Sequence, residues 1–147
     1  MKTFEELSVS QELCEALKKI GIREATPVQE EAIPALRNGK DTIVQAQTGT
    51  GKTLAFLLPL FDKIKVQADN IQTLIITPTR ELTLQIAKVA ATLGKADGVR
   101  SLAIYGGQDI ERQKHKLGRD PHVIIGTPGR ILDHLRRRTL NFSNTNK

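Results

Sequence analysis

Residues 46–53 read AQTGTGKT and follow a short apolar run, with an apolar helical pattern directly after them. Two glycines next to a lysine and a threonine come close to the G-x-x-x-x-G-K-[ST] pattern of a phosphate-binding loop, with Ala46 in place of the first glycine. Glycines let the backbone fold around phosphate oxygens without Cβ clashes. The stretch therefore predicts a nucleotide site in which Lys52 reaches the phosphates and the Thr53 hydroxyl binds Mg²⁺. A flexible Gly/Thr turn is the alternative.

Around this stretch, apolar strands alternate with helical patterns. The predicted strands are residues 42–46, 72–77, 100–105 and 122–126, and the predicted helices are residues 52–66, 80–94, 109–117 and 129–138. Two helices precede them, one with the capping sequence SVSQ, led by Ser8, and one opened by Thr26-Pro27. This alternation indicates βαβ units, and the continuous apolar strands indicate burial on both sides. The predicted class is α/β, a parallel sheet with helices on both faces.

Composition narrows the class of protein further. The 147 residues, 39% hydrophobic and 26% charged, are typical of a globular domain, and the single cysteine excludes an intramolecular disulfide. No run approaches the roughly 18 apolar residues of a membrane helix, and no secretory signal is visible, so we expect a cytoplasmic protein with no membrane partner. A net charge of +6 suits a polyanion, while 3% aromatic residues predict that a nucleic acid would be held by its backbone.

Several turns resemble one another at the predicted strand ends. Thr-Pro occurs at residues 26–27, 77–78 and 127–128, each time where a helix is predicted to open. Strand-to-helix turns of a parallel sheet share one edge, where ligands bind and helix N-termini favour phosphates. PTREL (residues 78–82) and TPGR (residues 127–130) each place an arginine on a first helical turn, against the helix dipole, and Gly106-Gly107 follows the third strand. Anion binding explains these arginines; ordinary solvated side chains are the alternative.

Gln29 allows two interpretations. It is the third helical residue after the Thr26 cap, which is the spacing of a capping box. A carboxamide also donates and accepts hydrogen bonds at once, so it could pair with the edge of a nucleobase. Spacing alone favours the capping box.

Taken together, these stretches resemble the first RecA-like domain of the DEAD-box ATP-dependent RNA helicases (superfamily 2), over essentially the whole chain. GIREATPVQ (residues 21–29) resembles the family's Q motif, and Phe4 lies where the family has an isolated upstream aromatic residue. AQTGTGKT has the family's own A-x-T-G-x-G-K-T form of motif I, so Ala46 is expected there. The remaining matches are PTREL (motif Ia), Gly106-Gly107 (GG motif) and TPGR (motif Ib). Small departures fall at Ala25, Val28 and Thr83.

The resemblance implies a RecA-like P-loop fold and a role for each matched residue. Gln29 would hydrogen-bond adenine, Phe4 would pack on the base and Thr26 would support the loop. Lys52 and Thr53 would also be catalytic, with Mg²⁺ at Thr53. The implied ATP-binding set is Phe4, Thr26, Gln29, Gln47, Thr48, Gly49, Thr50, Gly51, Lys52 and Thr53. The implied RNA-backbone set is Pro78, Thr79, Arg80, Gly107, Thr127, Gly129 and Arg130.

The resemblance also implies how the chain is organised. Residues 1–38 would form the Q-motif helical region, and residues 39–147 a RecA-like ATP-binding core that is incomplete, because the D-E-A-D stretch of the family is not among the 147 residues. We therefore expect a truncated domain with unpaired strand edges and exposed apolar surface.

The expected function is the ATP- and RNA-binding portion of a helicase that unwinds or remodels RNA using ATP hydrolysis, with a second RecA-like domain as its partner. Alone, the chain is expected to be inactive, since the family's water-positioning carboxylates and arginine finger lie in the missing parts. The alternatives are a non-catalytic RNA-binding truncation and another P-loop NTPase.

Overall fold

The computed structural model describes residues 1–49 and 51–143. The helices are α1 (Gln11–Lys19), α2 (Pro27–Arg37), α3 (Lys52–Asp62), α4 (Arg80–Asp97), α5 (Ile110–Leu117) and α6 (Pro128–Arg136), and the strands are β1 (Thr73–Ile76), β2 (Ser101–Ile104) and β3 (Val123–Gly126). These elements form two compact units, Met1–Ile64 and a second unit that begins at Lys65. The domain division after residue 38 stays a prediction.

Helix α1 begins later than its predicted cap. The predicted cap, Ser8, has a φ of 62° and lies in a turn, with its N–H bonded to the Glu5 carbonyl oxygen at 3.0 Å. Ser10 is the cap instead, and its hydroxyl oxygen accepts from the Leu13 N–H at 3.4 Å. The prediction of Ser8 is wrong because an N-cap needs extended backbone, which Ser10 has and Ser8 lacks. The predicted end at Gly21, with φ of 85°, is confirmed.

Helices α2 and α3 pack against each other in the first unit. Ile33 of α2 and Leu57 of α3 are fully buried. Arg37, at the end of α2, donates to the carboxylate of Asp62 on α3 and to the Leu7 carbonyl oxygen, the latter at 2.9 Å. Burial raises the pKa of Asp62, while the Arg37 guanidinium opposes that rise. The ion pair therefore joins the C-terminal ends of two helices that already share an apolar contact.

The predicted strand at residues 42–46 does not form. Residues 40–47 belong to no helix or strand, and the Ile43 side chain is 99% exposed. A strand is stable only when a neighbour satisfies its backbone hydrogen bonds, and no strand among the described residues pairs with this segment. The apolar run therefore stays irregular and contributes exposed apolar surface of the kind expected from the sequence.

The second unit contains a three-stranded parallel sheet in the order β1-β3-β2. Leu74, Ile124 and Leu102 lie in one row across it. All four residues of β3 are buried, and since successive side chains of a strand point to opposite faces, the centre of the sheet is covered on both sides. Helix α4 packs against β2 and β3, and α5 against β2. The predicted α/β class and parallel sheet are confirmed.

An apolar cluster anchors α5 and α6 to this sheet. Its buried members are Ile104, Leu117, Ile124, Ile131 and Leu140. Burial of one such side chain contributes about 1.5–3 kcal/mol, so the cluster fixes both helices firmly. Helix α6 follows the carboxyl end of β3 after one residue, and α5 follows the carboxyl end of β2 after residues 105–109, so the cluster holds both first turns near that edge.

One Thr-Pro pair differs from the prediction. Thr26 and Thr127 are the N-caps of α2 and α6, as predicted. Helix α4, however, is capped by Thr79, whose hydroxyl accepts a backbone N–H of the first turn. Thr77 instead continues the strand, since its N–H donates to the Gly126 carbonyl oxygen at 2.9 Å and extends the β1 ladder by one residue, two residues before the cap. The prediction that Thr77 opens the helix is therefore wrong.

Candidate functional site

The phosphate-loop sequence enters α3 through a glycine. Gly51 is the N-cap of α3, and it and Gly49 have φ angles of 89° and 83°, a region that side chains disfavour. The exposed Lys52 is the first helical residue, and its Nζ donates to the Ala46 carbonyl oxygen at 2.7 Å. The lysine therefore closes the loop across its two ends.

The first turn of α3 is suited to an anion. It carries Lys52 and Thr53 and no acidic residue, whereas α1, α2, α4 and α5 each have a glutamate in the first turn. Free backbone N–H groups and the positive end of the helix dipole lie at such a terminus. The predicted neighbours Gln47, Thr48 and Gly49 are exposed, and Thr50 lies outside the described residues.

Gln29 connects the start of α2 to this loop. It is 2% exposed, and its Oε1 accepts from the Thr26 N–H at 2.9 Å while its Nε2 donates to the Gly51 carbonyl oxygen at 3.1 Å. The first bond is half of the capping box predicted from spacing. The Thr26 hydroxyl oxygen is buried and has no hydrogen-bond partner within the described part of the chain. The contact of Gln29 with adenine stays a prediction.

Phe4 lies in the core of the first unit and is 1% exposed. Thr3 pairs with Glu24 in an antiparallel bridge, and the Ala25 N–H donates to the Lys2 carbonyl oxygen at 2.8 Å. The N-terminal segment thus lies against the GIREATPVQ stretch. Packing of Phe4 on a base stays a prediction, and it requires that the ring be uncovered.

Three strand-to-helix turns meet at the carboxyl edge of the sheet. Ile76 of β1 and Ile104 of β2 both pair with Gly126 of β3, and beyond this row the Thr127 N–H donates to the Ile104 carbonyl oxygen at 3.0 Å. One edge therefore carries all the residues predicted to contact an RNA backbone, namely Pro78, Thr79, Arg80, Gly107, Thr127, Gly129 and Arg130. Their roles stay predictions.

Arg80 lies over the ring of Tyr105. Its guanidinium carbon is 5.2 Å from the ring centroid, which is cation–π distance. Gly107 has a φ of 86°, and a Cβ there would be 3.1 Å from an Arg80 Nη1. Tyr105 therefore orients an exposed guanidinium, and the absence of a side chain at Gly107 leaves room for it.

Arg130 is half-buried on the first turn of α6 and is held by neutral acceptors. Its Nη1 donates to the Gln108 carbonyl oxygen and to Gln113 Oε1, each at 3.2 Å. Within the described ranges no carboxylate forms a salt bridge with it, whereas Arg37 and Arg100 each pair with an aspartate. Among the residues that the structure describes, its charge is therefore left without a salt bridge.

Behind Arg130, His134 is fully buried and both of its ring nitrogens lie within hydrogen-bond distance of a partner. Its Nε2 is 2.9 Å from Gln113 Oε1, and its Nδ1 is 2.7 Å from the Thr139 hydroxyl. Because the Gln113 amide nitrogen is already donating elsewhere, Oε1 must accept, so Nε2 carries the proton. Burial lowers the pKa of His134, and the nearby Arg130 charge lowers it further.

Sequence reasoning passed over Gln113, His134, Tyr105 and Gln108. A signal existed for the first two. Gln113 precedes Leu117 by one turn on the buried face of α5, and His134 follows Ile131 on the buried face of α6. A polar side chain on an apolar helical stripe needs hydrogen-bond partners, so both positions indicated a buried polar network.

The part of the chain that the structure describes contains no helix long and apolar enough to cross a membrane. It also contains no group of three or more His, Cys, Asp or Glu side chains arranged to hold a metal ion. The Mg²⁺ predicted at Thr53 is of another kind, because a nucleotide's phosphates supply much of its coordination.

A parallel α/β sheet, together with a glycine loop and lysine at the head of an apolar helix, defines a P-loop type of protein. The family model described as DEAD/DEAH box helicase matches residues 26–146. The chain belongs to this family.

Its relatives agree with that assignment. Proteins named DEAD-box ATP-dependent RNA helicase CshA are 52% identical to the chain in Bacillus cereus (strain ATCC 10987 / NRS 248), 50% in Geobacillus kaustophilus and 47% in Bacillus subtilis (strain 168). The matches cover 98%, 97% and 98% of this chain, but only 27%, 30% and 29% of those proteins.

The fold is also similar to a solved structure. A crystal structure of a DEAD box protein from the hyperthermophile Methanococcus jannaschii superimposes with a TM-score of 0.89 at 38% identity. The match covers 99% of this chain and 40% of that one. The RecA-like fold predicted from the resemblance is confirmed.

Proposed function

We propose that the chain is the ATP- and RNA-binding portion of an ATP-dependent RNA helicase that remodels RNA using ATP hydrolysis. The observation that carries the proposal is the convergence of Gln29, Gly51 and Lys52 on one loop at the N-terminus of α3. The names of relatives about half identical over nearly the whole chain support it. We place the protein in the cytoplasm.

The residues at the loop fit a magnesium nucleotide. The loop is tightly packed at Gly51, where an added Cβ would lie 2.3 Å from Gln29 Nε2 and would collide with it. Lys52 would exchange its bond with the Ala46 carbonyl for phosphate oxygens, and Thr53 would hold Mg²⁺, which neutralises phosphate charge when bound. The loop residues Gln47 to Gly51 would offer backbone N–H groups, and Phe4, Thr26 and Gln29 would form the adenine end.

RNA would bind at the carboxyl edge of the sheet. Arg80 and Arg130 each present a guanidinium there without a carboxylate in salt-bridge contact among the described residues. Pro78, Thr79, Gly107, Thr127 and Gly129 lie on the same three turns and would let the RNA backbone approach closely. Contacts of this kind grip phosphates and carry no base sequence.

We further infer that ATP turnover needs a second RecA-like domain and that the 147 residues alone do not hydrolyse ATP. The inference rests on the family's mechanism, in which a carboxylate positions the attacking water and an arginine finger stabilises the transition state. Lys52 and Thr53 would then bind and orient the phosphates without completing the reaction.

Two assays on the 147-residue chain test the proposal. Fluorescence anisotropy with a labelled single-stranded RNA should show salt-sensitive binding that Arg80→Ala weakens and Lys95→Ala, at the far end of the same helix, leaves unchanged. Phosphate release should be absent with and without RNA. RNA-stimulated release would contradict the inferred inactivity, and RNA affinity that Arg80→Ala leaves unchanged would contradict the RNA site.

A further inference from the structure

We propose that Gln113, supported by His134, positions the Arg130 guanidinium for its contact with an RNA phosphate. This inference rests on the proposed function, because it assigns Gln113 a role through Arg130. Gln113 itself is 2% exposed and does not reach the surface.

The amide of Gln113 is fully occupied. Its Oε1 accepts from Arg130 Nη1 at 3.2 Å and from His134 Nε2 at 2.9 Å. Its Nε2 donates to the Tyr105 carbonyl oxygen at 3.0 Å and to Gln108 Oε1 at 2.8 Å. A carboxamide offers two donor hydrogens and two acceptor lone pairs, so a flipped amide would break all four bonds. The four bonds together therefore hold the oxygen toward Arg130.

The acceptors of Arg130 are neutral, so its positive charge is left uncompensated by them and remains available to a ligand. Both Nη1 hydrogens are directed inward, to Gln113 and the Gln108 carbonyl oxygen. Its Nε and Nη2 groups have no acceptor within residues 1–49 and 51–143, which leaves three N–H donors for a phosphate. A carboxylate in place of the Gln113 amide would orient the arginine equally well but would neutralise it.

The same network reaches the neighbouring turns. Gln108 follows Gly107 in the chain, and its Nε2 donates to the Tyr105 hydroxyl at 2.7 Å. Tyr105 in turn lies beneath the Arg80 guanidinium. Gln113 thus joins the two arginines predicted to contact RNA, with Arg130 held directly and Arg80 held through Tyr105.

Two substitutions separate orientation from charge. Gln113→Met keeps a straight side chain of similar size but removes all four hydrogen bonds. Gln113→Glu keeps the acceptor toward Arg130 and adds a negative charge. Each should weaken single-stranded RNA binding about tenfold, the equivalent of one lost charged hydrogen bond, and lower the salt slope by about 0.7. Arg136→Ala, in the exposed last turn of α6, is the matched control and should change neither value.

A double-mutant cycle distinguishes positioning from general stability. In an Arg130→Ala background, Gln113→Met should lower RNA affinity far less than in the wild-type chain, because its main effect passes through Arg130. Equal losses in both backgrounds would overturn the proposal. So would unchanged affinity in folded Gln113→Met and Gln113→Glu proteins.

A readout without RNA keeps the proposal testable if the proposed function fails. The order parameter of the Arg130 Nε–H, measured by ¹⁵N relaxation, should be high in the wild-type chain and low in Gln113→Met, and unchanged in Arg136→Ala. An order parameter that Gln113→Met does not lower would overturn the positioning role whatever RNA does. Ordered Arg130 in a wild-type chain that binds no RNA would instead contradict the proposed function alone.

Discussion

The Gln29 side chain binds the glycine that opens α3: its Nε2 donates to the Gly51 carbonyl oxygen at 3.1 Å, while its Oε1 accepts from the first residue before α2, Thr26, at 2.9 Å. One buried amide therefore fixes the starts of two helices. Position 51 depends on it directly, since a Cβ there would lie 2.3 Å from the same nitrogen.

Replacing Gly51 by alanine should cost more than backbone strain alone. Gly49→Ala is the matched control, because its φ of 83° is as unfavourable as that of Gly51 but nothing lies within 4 Å of the added Cβ. We expect about 1–2 kcal/mol from Gly49→Ala and a clearly larger loss from Gly51→Ala, measured as the free energy of unfolding in urea. Equal losses would mean that Gln29 moves aside at little cost.

Gln29→Ala should destabilise the first unit even without nucleotide. The substitution leaves the Thr26 N–H and the Gly51 carbonyl oxygen without their partner, which costs about 1–3 kcal/mol for a buried group. Urea unfolding of the free chain measures this loss. Unchanged stability would contradict this structural role, because it would mean that the two hydrogen bonds of Gln29 do not hold the loop in place.

Gly107→Ala should weaken RNA binding by displacing Arg80. The added Cβ would lie 3.1 Å from an Arg80 Nη1, at a residue whose φ of 86° is already unfavourable for a side chain. Gly106→Ala, one residue earlier, meets nothing within 4 Å and provides the control. We expect several-fold weaker binding of single-stranded RNA for Gly107→Ala only, measured by anisotropy at low salt. Equal affinities of the two variants would contradict a role for Gly107 in RNA binding.

Acid should destabilise the second unit through two buried histidines. Burial lowers the pKa of both His122 and His134 in the folded chain, so the unfolded chain binds more protons as the pH falls below about 6.5. Their contribution to stability is complete above that pH and is lost as the pH falls toward the folded-state pKa values. Urea unfolding as a function of pH measures the effect.

Two substitutions sharpen the pH experiment. His134→Gln and His122→Gln should each make stability less dependent on pH below about 6.5, because each removes a ring whose pKa is lowered by burial. A wild-type chain whose unfolding free energy is flat through this range would contradict the buried neutral state of both rings.

The sequence predicted the elements whose signals are local. The glycine loop, the helix it opens, and the arginines on the first turns of α4 and α6 depend on residues within a few positions of one another. Parallel pairing of β1, β2 and β3 followed from their continuous apolar character. The predicted strand at residues 42–46 is wrong because a strand also needs a distant partner, which periodicity cannot supply.

The polar network behind Arg130 could not be assembled from the sequence. Gln113 and Gln108 lie near each other along the chain, but Arg130 and His134 reach them only because α6 shares an apolar cluster with α5. Gln113 and His134 occupy buried faces of α5 and α6, a signal that was passed over, and even that signal does not say which groups they meet. Gln29 illustrates both cases. Spacing predicted its local bond to Thr26, but it could not predict its bond to the distant Gly51.

We propose that Lys52 and Gln29 form an adenine-nucleotide site at the head of α3. Titration of the 147-residue chain with Mg-ATP and with Mg-GTP, followed by amide chemical shifts in the loop and first turn, tests it most directly. We predict saturable shifts with ATP, weaker ones with GTP, loss of the shifts in Lys52→Ala, and wild-type behaviour in Lys19→Ala, an exposed lysine at the end of α1. Identical titrations with ATP and GTP, or shifts that persist in Lys52→Ala, would show that Lys52 and Gln29 do not form such a site.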